Sequence, residues 1–360
     1  MTLTALQKCP FPYYGGKRDA APAVWVALGD VEHYVEPFAG SLAVLLERPH
    51  VPNRTYSSET VNDMDGLLVN AWRSIQLHPD ETAEAASNPV MEADLHARHL
   101  ALVRWRNDHQ LEHLMGDPLW CDPVMAGWWI WGCSSWIGSG WAAGTGPWTA
   151  DENGRLYKQA LGTREPGVAR QLPHLANNGR GVNRPQSRES GVDEAGEWHS
   201  VTMPEVRRWF GWLSARLRHV RVLNGDWSRC LTTGAAQTLG VRMGDGHAGI
   251  FLDPPYADTA GRDANLYAHD SLDVAHRVRE WAITNGNNPK YRIVFAGFEG
   301  EHDTFGDGWR EIEWFKAGYL KGGMAQQGDD GHQQARERLW LSPHCLEAPE
   351  PDRQIGMWDL

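Results

Sequence analysis

The spacing of apolar residues predicts two kinds of element in this chain. Short apolar runs bounded by turn residues predict buried strands at 248–252, 292–296 and 338–342. Apolar residues at helical spacing predict a helix over 92–115. Another helix follows Thr202–Glu205, where Thr and Glu have the spacing of a capping box. Strands that alternate with helices predict an α/β fold built on a doubly wound mixed sheet.

The amino end has the pattern strand, glycine turn, helix. Residues 34–41 combine a short strand with a Gly40-Ser41 turn, and an apolar run follows through Leu46. A helix amino terminus offers N–H groups to a negatively polarised ligand. The glycine spacing is not the dinucleotide fingerprint.

A second short strand near the amino end finishes in acidic residues. Asp63 lies roughly 20 residues after the glycine turn, where a doubly wound fold binds ribose hydroxyls. Asp63 and Asp65 are also both good caps for a helix beginning at Gly66, so both interpretations of Asp63 stay open.

The sequence Asp253-Pro254-Pro255-Tyr256 follows the strand predicted at 248–252. Two prolines end any helix or ladder at this point and leave a rigid turn. Open α/β sheets bind ligands at the carboxyl ends of their strands. A carboxylate, exposed carbonyls and an aromatic ring held there suit an exocyclic amine, although an ordinary strand-end turn would have the same pattern.

Tyr13-Tyr14-Gly15-Gly16-Lys17 places aromatic rings before a glycine pair and a lysine. Glycines allow a close backbone approach, while lysine and tyrosine suit a carboxylate and a flat ring. Taken alone, the segment is better explained as an ordinary Gly-Gly turn.

These blocks, in this order, resemble the adenine-specific DNA methyltransferases of the DNA adenine methylase type. The matching blocks are 13–17, 36–41, 61–72, 253–256 and 336–345. The order, with a long segment before the catalytic block, is that of the alpha group, and the unmatched middle is more similar to phage-encoded relatives. The resemblance implies a Rossmann-like fold of the S-adenosylmethionine (SAM)-dependent methyltransferases, with SAM as cofactor and double-stranded DNA as partner.

The resemblance also implies roles for individual residues. The implied catalytic residues are Asp253, Pro254, Pro255 and Tyr256. The implied cofactor-binding residues are Tyr13, Lys17, Glu36, Phe38, Gly40, Ser41, Asp63, Asp226 and Asp253. Methyl transfer to the exocyclic amine of adenine would require the base to flip out of the duplex. Transfer to the cytosine amine, transfer of a modified group, and a catalytically inactive DNA-binding relative remain alternatives.

We expect a catalytic domain of residues 1–84 and 201–360, interrupted at 85–200 by a helical and loop region that recognises the target. That region has the locally basic stretch of the chain, and phosphate contacts require such charge. The predicted DNA contacts are Arg170, Arg180, Arg184, Trp136 and Trp141. A structural subdomain is the alternative, and core packing is favoured for Trp128, Trp129 and Trp131.

Overall composition limits the remaining possibilities. The formal net charge of −12 argues against a generic DNA coat but leaves local DNA binding open. The five cysteines include no CxxC pair, and the sixteen histidines form no metal-binding motif, so we expect neither a disulfide framework nor a metal. The sequence has no apolar run of membrane length and no signal-peptide pattern, so we expect a cytoplasmic protein, in the cytoplasm of the host cell if it is phage-encoded. We expect a monomer, with a dimer as the alternative.

Overall fold

The chain divides into two compact units. A computed structural model describes residues 8–13, 16–49, 58–107, 114, 120–136, 141–142, 148–150, 156–158, 190–192, 198–200, 202–231, 246–255, 274–299, 305–314 and 337–346. Unit 1 consists of Met1–Gly16 and Asp65–Asn224, and unit 2 consists of Lys17–Met64 and Gly225–Leu360.

The elements are numbered in chain order. The strands are β1 His33–Glu36, β2 Ser58–Asp63, β3 Trp148–Ala150, β4 Leu156–Lys158, β5 Ser190–Val192, β6 Trp198–Ser200, β7 Val220–Asn224, β8 Ala248–Leu252, β9 Tyr291–Phe298, β10 Arg310–Ile312 and β11 Glu337–Leu341. The α-helices are α1 Ala21–Leu28, α2 Ala43–Leu46, α3 Gly66–Leu77, α4 Pro79–Ala86, α5 Glu92–Asn107, α6 Pro123–Ser135, α7 Thr202–Leu217 and α8 Val274–Asn285.

Unit 2 is built around strands that pair in the order β10-β11-β9-β8-β1-β2. β2, β1, β8 and β9 run parallel to one another, whereas β11 runs antiparallel to both β9 and β10. Every residue of β8 and β11 is buried. The sequence of β8 is continuously apolar, as expected for a strand covered on both faces, whereas β11 begins with two charged residues, Glu337 and Arg338. Because β1, β2 and β8 are parallel, their carboxyl ends meet at one edge of the sheet.

Helix α1 of unit 2 ends at a glycine that the backbone requires. Gly29 has φ 62°, and its N–H donates to the Trp25 carbonyl at 2.7 Å. A Cβ at Gly29 would also lie 2.4 Å from the Leu346 side chain. Glycine is therefore needed here for both the left-handed backbone and the space.

Unit 1 contains helices that pack on one another, with α6 against α3, α4 and α5, and α7 against α3 and α4. Two of these helices begin at aspartate caps. Asp65 accepts from the Leu67 N–H at 2.9 Å, and Asp122 accepts from Val124 and Met125 at 3.1 and 3.0 Å. The caps satisfy N–H groups that have no partner inside the helix. The short strands pair as two antiparallel ribbons, β3 with β4 and β5 with β6.

The predicted α/β fold with a mixed sheet is confirmed. β8 has the predicted bounds, β9 contains the segment predicted at 292–296, and β11 overlaps the one predicted at 338–342. The helix predicted over 92–115 is present as α5, and of its remaining residues only Leu114 is described. The proposed division at residues 84 and 201 stays a prediction; the two compact units divide at other positions.

Candidate active site

Acidic side chains lie at the ends of neighbouring parallel strands in unit 2. Glu36 is the last residue of β1, Asp63 is the last of β2, and Asp253 directly follows β8. Asp253 is half-buried and precedes the buried Pro254 and the half-buried Pro255. We call Glu36, Asp63, Asp253 and the nearby Glu337 the acidic edge.

Lys17 provides a positive charge within the acidic edge. Its Nζ lies 3.1 Å from Asp253 Oδ1 and 3.5 Å from Glu337 Oε1. The Lys17 side chain is only 5% exposed. Because burying an unpaired ammonium is costly, the two carboxylates explain how lysine is tolerated at this position.

Glu36 is buried beside two other carboxylates. Its Oε2 accepts a hydrogen bond from the Tyr34 hydroxyl at 3.1 Å. The pKa of Glu36 is raised to about 8, mainly by burial and in smaller part by the charges of Asp253 and Asp63, while hydrogen bonds from Tyr34 and the Leu45 N–H oppose the shift. Glu36 therefore holds a proton near neutral pH, and a cation bound in the site would favour its ionised form.

The glycine turn after β1 is connected to β2 through Asp63. Gly40 has φ 45°, and its N–H donates to Asp63 Oδ2 at 2.9 Å. The expected helix follows as α2, but it has only four residues, and Leu42 before it is also left-handed. Asp63 thus supports the turn directly, whereas the helix cap at α3 is Asp65.

Asn62 connects two backbone turns of unit 2, and sequence reasoning missed it. Its Nδ2 donates to the Pro37 carbonyl at 3.0 Å and to the Gly225 carbonyl at 2.9 Å. The Gly225 N–H in turn donates to the Asp63 carbonyl at 3.0 Å. The available signal was an amide side chain within a predicted strand, directly before the acidic Asp63.

The Gly225-Asp226-Trp227 element forms a turn into a 3-10 helix over Trp227–Cys230. Asp226 Oδ1 accepts from the Ser228 N–H at 3.0 Å and from the Ser228 hydroxyl at 2.5 Å. The Trp227 ring lies nearly parallel to the Phe38 ring, with centroids 6.4 Å apart. Among the described residues, the buried Trp227 Nε1 has no hydrogen-bond partner, which leaves one donor unsatisfied beside Asp226, a predicted cofactor-binding residue.

Other predicted site residues belong to unit 1. Tyr13 is half-buried with its ring 6.4 Å from Phe11. Trp136 stacks on His99 at 4.9 Å, and Trp141 lies 5.2 Å from Trp136. With Trp131, these residues form what we call the aromatic cluster (His99, Trp131, Trp136 and Trp141). These contacts are those of packed side chains; DNA contact by Trp136 and Trp141 stays a prediction.

The expected core role is confirmed for Trp129 and Trp131, which are 6% and 0% exposed. Trp128 is half-buried and lies under the Arg98 guanidinium at 5.5 Å. Ser41 is buried in unit 2. Predicted site residues outside the described part of the chain are Tyr256, Arg170, Arg180 and Arg184.

In the described part of the chain, no group of three His, Cys, Asp or Glu side chains is arranged to hold a metal ion. The described helices include none with the length and apolar character to cross a membrane.

A mostly parallel sheet with acidic side chains at its strand ends is consistent with the fold of the SAM-dependent methyltransferases. The family model of the D12 class N6 adenine-specific DNA methyltransferases matches residues 13–104, which include β1, the glycine turn and β2. This match confirms the resemblance and the predicted enzyme class, an adenine-specific DNA methyltransferase. The comparison with curated proteins gives no match.

Proposed function

We propose that this enzyme transfers the methyl group of SAM to the exocyclic amine of an adenine that has flipped out of duplex DNA. The observation that supports the proposal best is the pairing of Asp253 with the buried Lys17 directly after β8. A lysine partner favours the ionised aspartate, and an ionised carboxylate accepts hydrogen bonds from an amine.

The charges of Glu36, Asp63 and Asp253 suit SAM, which bears a sulfonium and an ammonium. Carboxyl groups of Glu36, Asp63 and Asp253 are coupled electrostatically, and burial keeps Glu36 protonated near neutral pH. Cationic groups nearby would stabilise the ionised carboxyl groups. The Trp227 Nε1, which has no hydrogen-bond partner within the described ranges, is consistent with a polar ligand beside the Asp226 turn. SAM supplies an electrophilic methyl group.

Asp253 and the Pro254 carbonyl would act on the target amine. The lone pair of this nitrogen is delocalised into the adenine ring, which makes the amine a poor nucleophile. Two acceptors that bind its hydrogens return electron density to the nitrogen. The rigid Pro254-Pro255 turn holds both acceptors in place before the substrate arrives, so positioning and electrostatics supply the rate.

The first experiment measures SAM binding by calorimetry and methyl transfer to unmethylated DNA. Digestion of the product and mass spectrometry then identify the modified base. The expected product is N6-methyladenine. N4-methylcytosine or a heavier group would support one of the alternative transfers, and SAM binding or DNA binding without transfer would support an inactive relative.

Base flipping has a separate test. Substituting 2-aminopurine for the target adenine gives a fluorophore that brightens when it leaves the base stack. We expect brightening on addition of the enzyme, and none when the fluorophore lies outside the target site. Active methylation without this increase at the target would contradict flipping.

We further propose that Arg170, Arg180 and Arg184 bind DNA phosphates. Neutralising all three should flatten the salt dependence of DNA binding by roughly one unit of log-slope for each phosphate that the variant no longer neutralises, with SAM affinity unchanged. Arg207 and Arg208 on α7 are exposed and supply a matched neutralised control. An unchanged slope in the triple variant would contradict the proposal.

A further inference from the structure

Glu337 is a buried residue that takes no part in the methyl-transfer step proposed above. It is the first residue of β11 and pairs with Phe298 of β9 in an antiparallel register. Only 8% of the residue is exposed. A glutamate at such a position costs stability unless its charge is compensated.

The strand direction explains why Glu337 contacts Lys17. Successive side chains of a strand point to opposite faces of the sheet. The next residue, Arg338, pairs with Glu299, Glu311 and Glu313, at distances of 2.7, 3.6 and 3.3 Å. On the other face, the Glu337 carboxylate lies 3.5 Å from Lys17 Nζ.

Lys17 therefore divides its charge between two carboxylates. Its ammonium has three donors, and the contact with Asp253 uses the Oδ1 atom at 3.1 Å. If Asp253 were its sole carboxylate partner, Lys17 would hold that carboxylate more tightly and compete with an incoming amine. A second carboxylate weakens this competition while keeping the ammonium close enough to favour the ionised aspartate.

We propose that Glu337 is a positioning residue for methyl transfer, which anchors Lys17 so that Asp253 remains ionised and available to the target amine. This inference rests on the proposed function. It predicts that loss of Glu337 slows the chemical step and leaves SAM binding almost unchanged, because the acidic groups of β1 and β2 are retained.

The test is a double-mutant cycle on the single-turnover rate of methyl transfer at saturating SAM and DNA. Glu337→Gln should slow transfer on the order of tenfold or more, with less than about a threefold change in KM for SAM. In a Lys17→Met background that still transfers, the same substitution should have little further effect, because Glu337 acts through Lys17. Glu313→Gln is the matched control, since Glu313 is 72% exposed and pairs with Arg338.

Glu337→Asp keeps the charge on a side chain shorter by one methylene, and it should restore part of the rate that Glu337→Gln loses. The double-mutant cycle is repeated with Glu337→Asp in place of Glu337→Gln. The outcome then does not depend on whether the glutamine variant folds correctly.

If the wild-type enzyme transfers methyl groups normally, three results would overturn this inference and leave the proposed function standing. These are a full rate in Glu337→Gln, a loss of equal size in both backgrounds, and a loss confined to KM for SAM. Wild-type protein that binds SAM and DNA without any transfer would instead overturn the proposed function, and this inference with it.

Discussion

The acidic edge of unit 2 and the aromatic cluster of unit 1 are both dense groups of unusual residues, but they differ in how their members are stabilised. In the acidic edge, the buried Lys17 is shared between carboxylates, and Glu36 avoids a net charge by keeping its proton. In the aromatic cluster, rings contact rings, and Trp141 Nε1 donates to the Trp129 carbonyl at 3.0 Å. Charged groups kept together at a cost indicate a site, whereas packed rings stabilise the unit that contains them.

The packing of the aromatic cluster is close enough to restrict its neighbours. A Cβ added at Gly132 would lie 1.8 Å from the Trp141 ring. Trp131 is fully buried, and its Nε1 donates to the Asn88 carbonyl at 2.7 Å. The abundance of tryptophan in this segment is therefore explained in part by core packing.

The largest expected effect is on stability. Trp131→Ala should destabilise the protein by about 3–5 kcal/mol, because it removes a fully buried ring and leaves a cavity. The thermal unfolding midpoint measures the loss. Trp128→Ala, on the same helix but half-buried, should cost clearly less. Equal losses at both positions would contradict the structural role assigned to the aromatic cluster.

Asp253→Ala should reduce the rate of methyl transfer, whereas Trp131→Ala reduces stability. We expect methyl transfer to fall ~100- to 1000-fold, because the variant loses a preorganised acceptor for the target amine. The fold and much of the DNA binding should be retained, since Glu337 still pairs with the buried Lys17. Asp307→Ala, at an exposed position of the same unit, is the control. Retention of more than roughly a tenth of wild-type activity would remove Asp253 from the catalytic role.

Asp63 has a smaller expected effect, on the cofactor. Asp63→Ala should weaken SAM binding more than DNA binding, by ~1.5–3 kcal/mol for a hydrogen bond to a charged group. Asp63→Asn keeps an acceptor for the Gly40 N–H and so separates support of the turn from the charge. Calorimetry measures both. If neither variant changes the dissociation constant, Asp63 serves the turn alone.

The pH dependence of stability tests the environment of Glu36. Since its pKa rises from 4.5 to about 8 on folding, the folded protein binds more protons between those values. Stability therefore falls as pH rises through this window, by at most about 1.4 kcal/mol for each pH unit. Glu36→Gln should gain stability relative to wild type from about pH 6 to about pH 7.

The measurement is the difference in unfolding midpoint between variant and wild type at each pH. Glu280→Gln, exposed on α8, is the control and should show a constant difference. A constant difference for Glu36→Gln as well would contradict the raised pKa.

Local patterns predicted the elements well, because each depends on neighbouring residues. The apolar run before Asp253 is β8, and of the two caps left open for α3, Asp63 and Asp65, the observed one is Asp65. The strand order and the pairing of Glu337 with Lys17 depend on residues far apart in the chain, and no local spacing encodes them. For the same reason, the bridging role of Asn62 was missed.

The sequence by itself determined the α/β class, the blocks that resemble adenine-specific DNA methyltransferases, and the acids expected at the ends of two strands, Asp63 and Asp253. Periodicity, turn residues and motif order contain that information. The tertiary structure decided that Asp63 binds the Gly40 N–H, that Glu36 keeps its proton, and that Lys17 joins Asp253 to Glu337. Hydrogen bonds and pKa shifts depend on distance and burial, which exist only once parallel and antiparallel strands are assembled into one sheet.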